Sequence, residues 1–167
     1  MPTTGKARRV QFLKLYSVKK SEKYQTWYNR RQRTIPYGSE EYRMEAKPCI
    51  DSLTVKSSHV LPPDTNSHGT LFGGKLMAHI DDVAAIAAVR HARKPVVTAS
   101  TDSVDFLQPV FEGDTICLEA FVTWTHNTSM EVFVKATTEN LLTGEINVCT
   151  TAFISIVAVD EKNEPTP

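Results

Sequence analysis

The stretch PPDTNSHGTLFGGKLMAHIDDVAAIAAVRH, residues 62–91, decides the fold. Its first eight residues, Pro62-Pro63-Asp64-Thr65-Asn66-Ser67-His68-Gly69, are almost all turn formers, so they predict an ordered loop and not a periodic element. Gly73-Gly74 follows where a helix would expose its first unbonded N–H groups, and glycine there lets a carbonyl or anion come close to the main chain. From Lys75 to about His91 the spacing predicts a helix ~24 Å long. At 100° per residue, Leu76, Met77, Ile80, Val83, Ala84, Ala87 and Ala88 fall on one arc. That arc must face a core.

The helix carries two adjacent carboxylates with different settings. Asp82 projects with Lys75 and His79 on the polar side and reads as a solvated acid. Asp81 lies at the margin of the apolar arc, beside Ala84, Ala85 and Ala88. A carboxylate among alanines has few partners, so its pKa is expected to rise, which suits a general base or the activation of water. The competing reading makes Asp81 a structural hydrogen-bonding group at a subunit contact.

Several runs in order along the chain carry a resemblance: Asn66, Leu71-Phe72-Gly73-Gly74, Met77-Ala78-His79-Ile80-Asp81, Arg90-His91, Val97-Thr98-Ala99-Ser100, Phe106-Leu107-Gln108-Pro109-Val110 and Thr128-Ser129-Met130-Glu131. Over residues 52–159 the chain resembles the hotdog-fold acyl-CoA thioesterases, in particular the small single-domain bacterial type. His79 departs from the pattern, since many relatives carry an aromatic or a different polar residue there. The resemblance implies an α+β fold in which one long central helix is wrapped by an antiparallel sheet of about five to six strands. It further implies hydrolysis of fatty acyl-CoA to free fatty acid and coenzyme A, by an asparagine and an aspartate that face each other across a subunit boundary. Carried onto this chain, these are Asn66 and Asp81.

Helix geometry agrees with a shared site. Gly73 and Asp81 are ~12 Å apart along one axis, too far for both to touch one thioester carbon. A site using both therefore needs two subunits. The resemblance implies a homodimer as the minimal active unit and a hexamer, a trimer of dimers, as the assembly. Gly73 and Gly74 are the expected oxyanion donors, and Asn66 would orient water or the carbonyl through its amide. On loop chemistry alone, Asn66 equally caps a turn. Whether Asp81 attacks directly or through water is left open by the sequence.

For the nucleotide end of coenzyme A the candidates are Arg90, His91, Thr128 and Ser129. A guanidinium binds phosphate bidentately, and the cluster Arg90-His91-Ala92-Arg93-Lys94 ahead of Pro95 also fits a helix C-terminus that cations complement. The turn at Asn127, Thr128 and Ser129 has an equally good local explanation. Cys49, Cys117 and Cys149 are odd in number, with neither CxxC spacing nor histidines at metal-ligand offsets, and read as reduced thiols, and the five histidines are scattered singly. No metal and no cofactor are expected, coenzyme A being part of the substrate. Neither a GxSxG elbow nor a Cys–His pairing is present.

The rest of the chain supplies strands. A strand-like run at residues 49–60 precedes the loop. Residues 96–106 form another, Ile116, Leu118, Ala120, Val122 and Trp124 alternate with Cys117, Glu119, Phe121 and Thr123, and residues 130–138 and 146–159 follow after short turns. Short connections predict an antiparallel meander. Residues 44–160 are expected to form the hotdog domain and residues 161–167 a frayed polar tail.

The formal charge is zero over 167 residues, yet residues 1–43 hold eleven Lys/Arg against three Asp/Glu, and all five tyrosines. This N-terminal extension reads as a poorly ordered segment, or else as a basic amphipathic arm. Met44, where the resemblance opens, is an alternative translation start. A rival function is an acyl-CoA-sensing module whose basic arm binds nucleic acid, but no helix-turn-helix pattern supports it, and no nucleic-acid partner is expected. No run approaches the ~20 apolar residues of a transmembrane helix, and no secretory signal opens the chain. A cytoplasmic protein is expected.

Overall fold

The computed structural model describes residues 47–167, so the expectations for residues 1–43 lie outside the described residues. Among the described residues, five strands and one long helix make up the fold. They are β1 (Thr54–His59), α1 (Gly73–Ala92), β2 (Val96–Phe106), β3 (Thr115–Thr125), β4 (Ser129–Asn140) and β5 (Glu145–Ala158). The sheet is antiparallel in every pairing, with the order β1-β3-β4-β5-β2. The meander predicted for the C-terminal half is β3-β4-β5. The helix carries the chain from β1 at one edge to β2 at the other.

One face of this sheet holds the helix. Leu76, Ile80, Val83, Ala84, Ala87 and Ala88 are buried on α1, against Ile116, Leu118, Ala120 and Val122 of β3, Val132, Val134 and Ala136 of β4, and Ala152, Ile154 and Ile156 of β5. The alanines of the second half let the helix lie close to the sheet, where bulkier side chains would hold it off. The helical arc read from spacing is thus the buried face, with Met77 packed at its margin.

Local departures have local causes. The segment expected to begin β1 forms a 3-10 turn at Cys49–Ser52 instead. Ser52 is fully buried there, and its Oγ accepts the Val122 N–H at 2.9 Å. That contact sits beside the register shift between Val122 and Trp124, which places Trp124 opposite Glu131 and ends the alternation that predicted Trp124 inside. The C-terminal tail folds back and does not fray: Asp160 Oδ1 accepts the N–H groups of Lys162 (2.8 Å) and Glu164 (3.0 Å), and Thr166 N–H reaches Ala158 O at 2.9 Å. Among the described residues no helix is long and apolar enough to cross a membrane.

β2 is the strand that matters for the site. It is eleven residues long and, among the described residues, pairs only with β5 and leaves its other edge free. Two register shifts, between Thr98 and Ser100 and between Thr101 and Ser103, interrupt its alternation. Most of its residues are exposed in the protomer, including Val97 at 46% and Phe106 at 57%.

Candidate functional site

The first turn of α1 is open. Phe72, the residue before it, supplies no side-chain cap, and its carbonyl accepts Lys75 N–H (2.9 Å) and Leu76 N–H (3.2 Å). Gly73 N–H and Gly74 N–H have no acceptor among the described residues. Both donors sit at the positive end of a twenty-residue helix, a setting that favours developing negative charge. Beside them lies a cleft of about 340 Å³ lined by Leu71, Gly73, Leu76 and residues 106–110. Close by, Lys75 pairs with Asp64 at 3.1 Å, and this hydrogen bond holds the Asp64 carboxyl below the usual carboxylate range.

Asn66 closes the loop that leads into the helix. Its Oδ1 accepts the N–H groups of His68 (2.9 Å) and Thr70 (3.3 Å), while Nδ2 donates to Thr70 Oγ1 at 2.9 Å. Backbone bonds Asn66 N–H to Thr70 O (2.8 Å) and Gly69 N–H to Asn66 O (3.0 Å) tighten the same turn, and Gly69 takes a positive φ of 71°. The turn-forming role weighed from sequence is therefore real. It engages Oδ1 and one Nδ2 hydrogen, and the second Nδ2 hydrogen has no acceptor among the described residues.

Asp81 differs from its expected setting. In the protomer it is exposed, and Thr98 Oγ1 donates to its Oδ1 at 2.7 Å. Ala84 and Ala88 beside it are fully buried and Ala85 half-buried, but Asp81 stands at the rim of that arc, and the single chain does not bury the carboxylate. Asp82 is the solvated acid expected, paired with Lys56 at 2.6 Å. Burial, then Lys56, pushes the nearby His79 ring below the ordinary histidine value.

Thr98 escaped the sequence reading as a site residue. It lies within the run Val97-Thr98-Ala99-Ser100, but alternation cannot reveal which hydroxyl turns toward the helix when a register shift intervenes. Thr98 pairs with Ile156, which is fully buried, so both share the sheet face that carries the helix.

The four coenzyme A candidates lie toward the other end of the helix. Arg90 Nη1 donates to Leu53 O (2.6 Å) and Thr54 Oγ1 (3.2 Å), tethering the helix to the start of β1. Its remaining guanidinium donors have no acceptor among the described residues. His91 is half-buried, its carbonyl accepts Lys47 Nζ at 2.9 Å, and its Nδ1 is buried with no hydrogen-bond partner among the described residues. Burial, then Lys47, pushes its pKa down. Thr128 and Ser129 close the β3–β4 turn through their carbonyls, which accept Ala158 N–H (2.8 Å) and His126 N–H (2.7 Å). Met130 and Thr98 both pair with Ile156, so that turn lies two strands, ~10 Å, from Thr98.

A long helix on one face of a five-stranded antiparallel sheet, with polarising N–H groups at its start and a carboxylate on its open flank, is the hotdog α+β architecture of a hydrolytic enzyme. The thioesterase superfamily matches residues 68–145. An uncharacterized acyl-CoA thioester hydrolase of Bacillus subtilis, YkhA, is 54% identical over 123 residues, 74% of this chain and 72% of that protein. A solved hexameric acyl-CoA thioesterase in its apo form is 51% identical with a TM-score of 0.73, covering 74% of this chain and 80% of that one. The acyl-CoA hydrolase of Staphylococcus aureus, solved with butyryl coenzyme A and coenzyme A, is 42% identical with a TM-score of 0.69, covering 72% and 73%. Alanine mutants of that enzyme at an asparagine, an aspartate and a threonine have also been solved, and the three positions are 15 and then 17 residues apart. The chain described here belongs to the hotdog-fold acyl-CoA thioesterase family, in its small single-domain bacterial type, and is a thioester hydrolase.

Proposed function

We propose that this chain hydrolyses fatty acyl-CoA to a fatty acid and coenzyme A at sites shared between two subunits, with Asp81 of one chain facing Asn66 and the α1 start of the other. Asn66, Asp81 and Thr98 are separated by 15 and 17 residues here, the same intervals as the mutated asparagine, aspartate and threonine of the S. aureus hydrolase. The observation that carries the proposal is the disposition of the helix. Its two unclaimed N–H groups and the Asp81 carboxylate lie ~12 Å apart on one axis, so a second copy must bring one set to the other.

The free edge of β2 is the natural seam for that second copy. It is a long edge strand whose unpaired backbone groups invite pairing with an identical edge, and it carries Thr98, which holds Asp81. Two-fold pairing there places two Asp81 carboxylates near the seam and removes them from bulk water. Assembly of three such dimers gives the hexamer, the state of the related apo thioesterase.

In the reaction, the thioester carbonyl oxygen lies at the N–H groups of Gly74 and Gly73, with the acyl chain in the adjoining apolar cleft. Asn66 orients the water or the carbonyl through its free amide hydrogen. Acting as general base, Asp81 takes a proton from water as the water oxygen bonds to the carbonyl carbon. The tetrahedral oxyanion is held by the helix start. Its collapse breaks the carbon–sulfur bond, and the proton held by Asp81 passes to the departing thiolate. Acting as nucleophile, an Asp81 carboxylate oxygen bonds to the carbonyl carbon and displaces the coenzyme A thiolate as the carbon–sulfur bond breaks; water then opens the resulting anhydride to the Asp81 carboxylate and the fatty acid, and the proton released passes to the thiolate. Arg90, His91, Thr128 and Ser129 lie toward the far end of the helix, where the nucleotide of coenzyme A would extend.

Subunit complementation tests the shared site. Asp81→Ala and Asn66→Ala proteins, each inactive alone, are unfolded together and refolded as a mixture. Mixed dimers hold one doubly altered site and one intact site, so activity returns to about a quarter of wild type. A mixture as inactive as its components refutes the shared site.

A further inference from the structure

We infer that Thr70 is a positioning residue that fixes the Asn66 carboxamide for catalysis. The inference rests on the reading of Asn66 and Asp81 as partners and adds a residue to it.

Which way the carboxamide points is set by its surroundings. Two backbone N–H groups, of His68 and Thr70, converge on one terminal atom of Asn66, and only an oxygen can accept both. The nitrogen is therefore the atom 2.9 Å from Thr70 Oγ1, and it donates one hydrogen there. Its second hydrogen has no acceptor among the described residues. Backbone donors on the oxygen also draw electron density from the amide, which makes the free N–H a better donor.

The Thr70 hydroxyl is not needed to close the loop. Asn66 N–H to Thr70 O and Gly69 N–H to Asn66 O already do so, and Thr70 is further held by its bridge to Phe111, next to the bond from Leu71 N–H to Val110 O. Removing the hydroxyl thus leaves the backbone in place; Oδ1 loses the Thr70 hydroxyl at 3.2 Å but keeps its two backbone donors, whereas Nδ2 loses its one acceptor among the described residues. A donor free to swing spends less time aligned with its target, which costs turnover more than binding.

The experiment compares Thr70→Val, Thr70→Ser and Asn66→Ala in the full-length chain, with the oligomer checked by light scattering. Thr70→Val should lower kcat at least tenfold with KM changed less than twofold, and Thr70→Ser, which keeps the acceptor, should stay within twofold of wild type. Wild-type kcat in Thr70→Val alongside an inactive Asn66→Ala overturns the role of Thr70 alone. So does a Thr70→Ser protein as slow as Thr70→Val, because the hydroxyl would then not be the operative group. Full activity in Asn66→Ala removes the underlying reading instead. Should Thr70→Val fail to assemble, Thr70→Ala makes the same comparison without adding a branched side chain.

Discussion

Thr98 donates its hydroxyl to Asp81 Oδ1 at 2.7 Å, joining the free-edge strand to the middle of the helix. This bond fixes one carboxylate oxygen and leaves the other to meet water. Asp81→Ala should therefore lower kcat by about 10²–10⁴-fold, the range for loss of a general base, with the oligomer intact. Thr98→Val, which keeps the carboxylate but frees its rotation, should cost about tenfold. The neighbouring Asp82 supplies the control. Its pair with Lys56 is on the surface, worth less than about 1 kcal/mol, so Asp82→Ala should keep wild-type kcat and KM. Steady-state thiol release from acyl-CoA by the three variants decides the matter, and an Asp82→Ala defect as deep as that of Asp81→Ala would mean the wrong carboxylate has been chosen.

Asn66 has two duties, one in the loop and one proposed at the reacting centre, and Asn66→Asp separates them. The carboxylate still accepts from His68 N–H and Thr70 N–H, and the Thr70 hydroxyl can donate to its second oxygen. Loop and thermal midpoint should therefore be retained. With no N–H to offer the substrate, however, kcat should fall by about 10²-fold, as for the loss of one well-placed donor. Melting curves and initial rates on the same preparation check both halves, and an active, stable Asn66→Asp would leave Asn66 with its loop role only.

The two glycines at the helix start should respond differently to alanine. A Cβ on Gly73 would meet Phe106 Cζ at 3.8 Å, an ordinary contact. Alanine also favours the helix by about 0.8–1.0 kcal/mol over glycine in a helix interior, less at the first turn. Gly73→Ala should melt no lower than wild type. On Gly74 the new carbon would lie 2.5 Å from Phe72 Cε1, so the ring, 56% exposed, must swing away from its place beside the helix start. Gly74→Ala should then lose more in kcat/KM than Gly73→Ala, and equal values for the two would argue against Gly74 N–H as the closer donor.

The sequence made some of this legible and hid the rest for physical reasons. The apolar arc of α1 was readable because a helix against a sheet buries whatever recurs at i, i+3, i+4 and i+7, and the bounds of β2 emerged from its flanking Pro95 and its Leu107-Gln108-Pro109 turn. Burial of Asp81 was misjudged because burial of its neighbours does not extend to it: Ala84 and Ala88 are fully buried, yet the carboxylate stands at the rim of that arc and is exposed in the protomer. Thr98 and Trp124 were missed or misplaced for one shared reason: each lies at a register shift, and a single extra residue reverses the face that alternation assigns. The tail was read as frayed because its composition is polar, although the Asp160 side chain alone bonds two backbone N–H groups and folds it back.

Stability should fall as pH drops from 7 to 5, and two histidines should account for it. Burial holds His91 below its ordinary pKa, aided by Lys47, and burial with Lys56 does the same to His79. Facing them are Asp51 near His91, and Asp64 and Asp82 near His79, which pull the other way without reversing the shift. In the unfolded chain both rings take up protons near ~6.5, while the folded rings resist until lower pH. The unfolded state therefore binds more protons through this window, and stability rises with pH across it. Asp64 does not contribute there: its carboxyl is depressed in the folded chain, so its contribution is lost only as pH falls below the unfolded carboxylate value of ~3.9. Denaturant midpoints of the full-length protein at constant ionic strength should decline between pH 7 and 5, and His79→Gln/His91→Gln should flatten the decline. An unchanged slope in the double variant would place the titrating groups elsewhere.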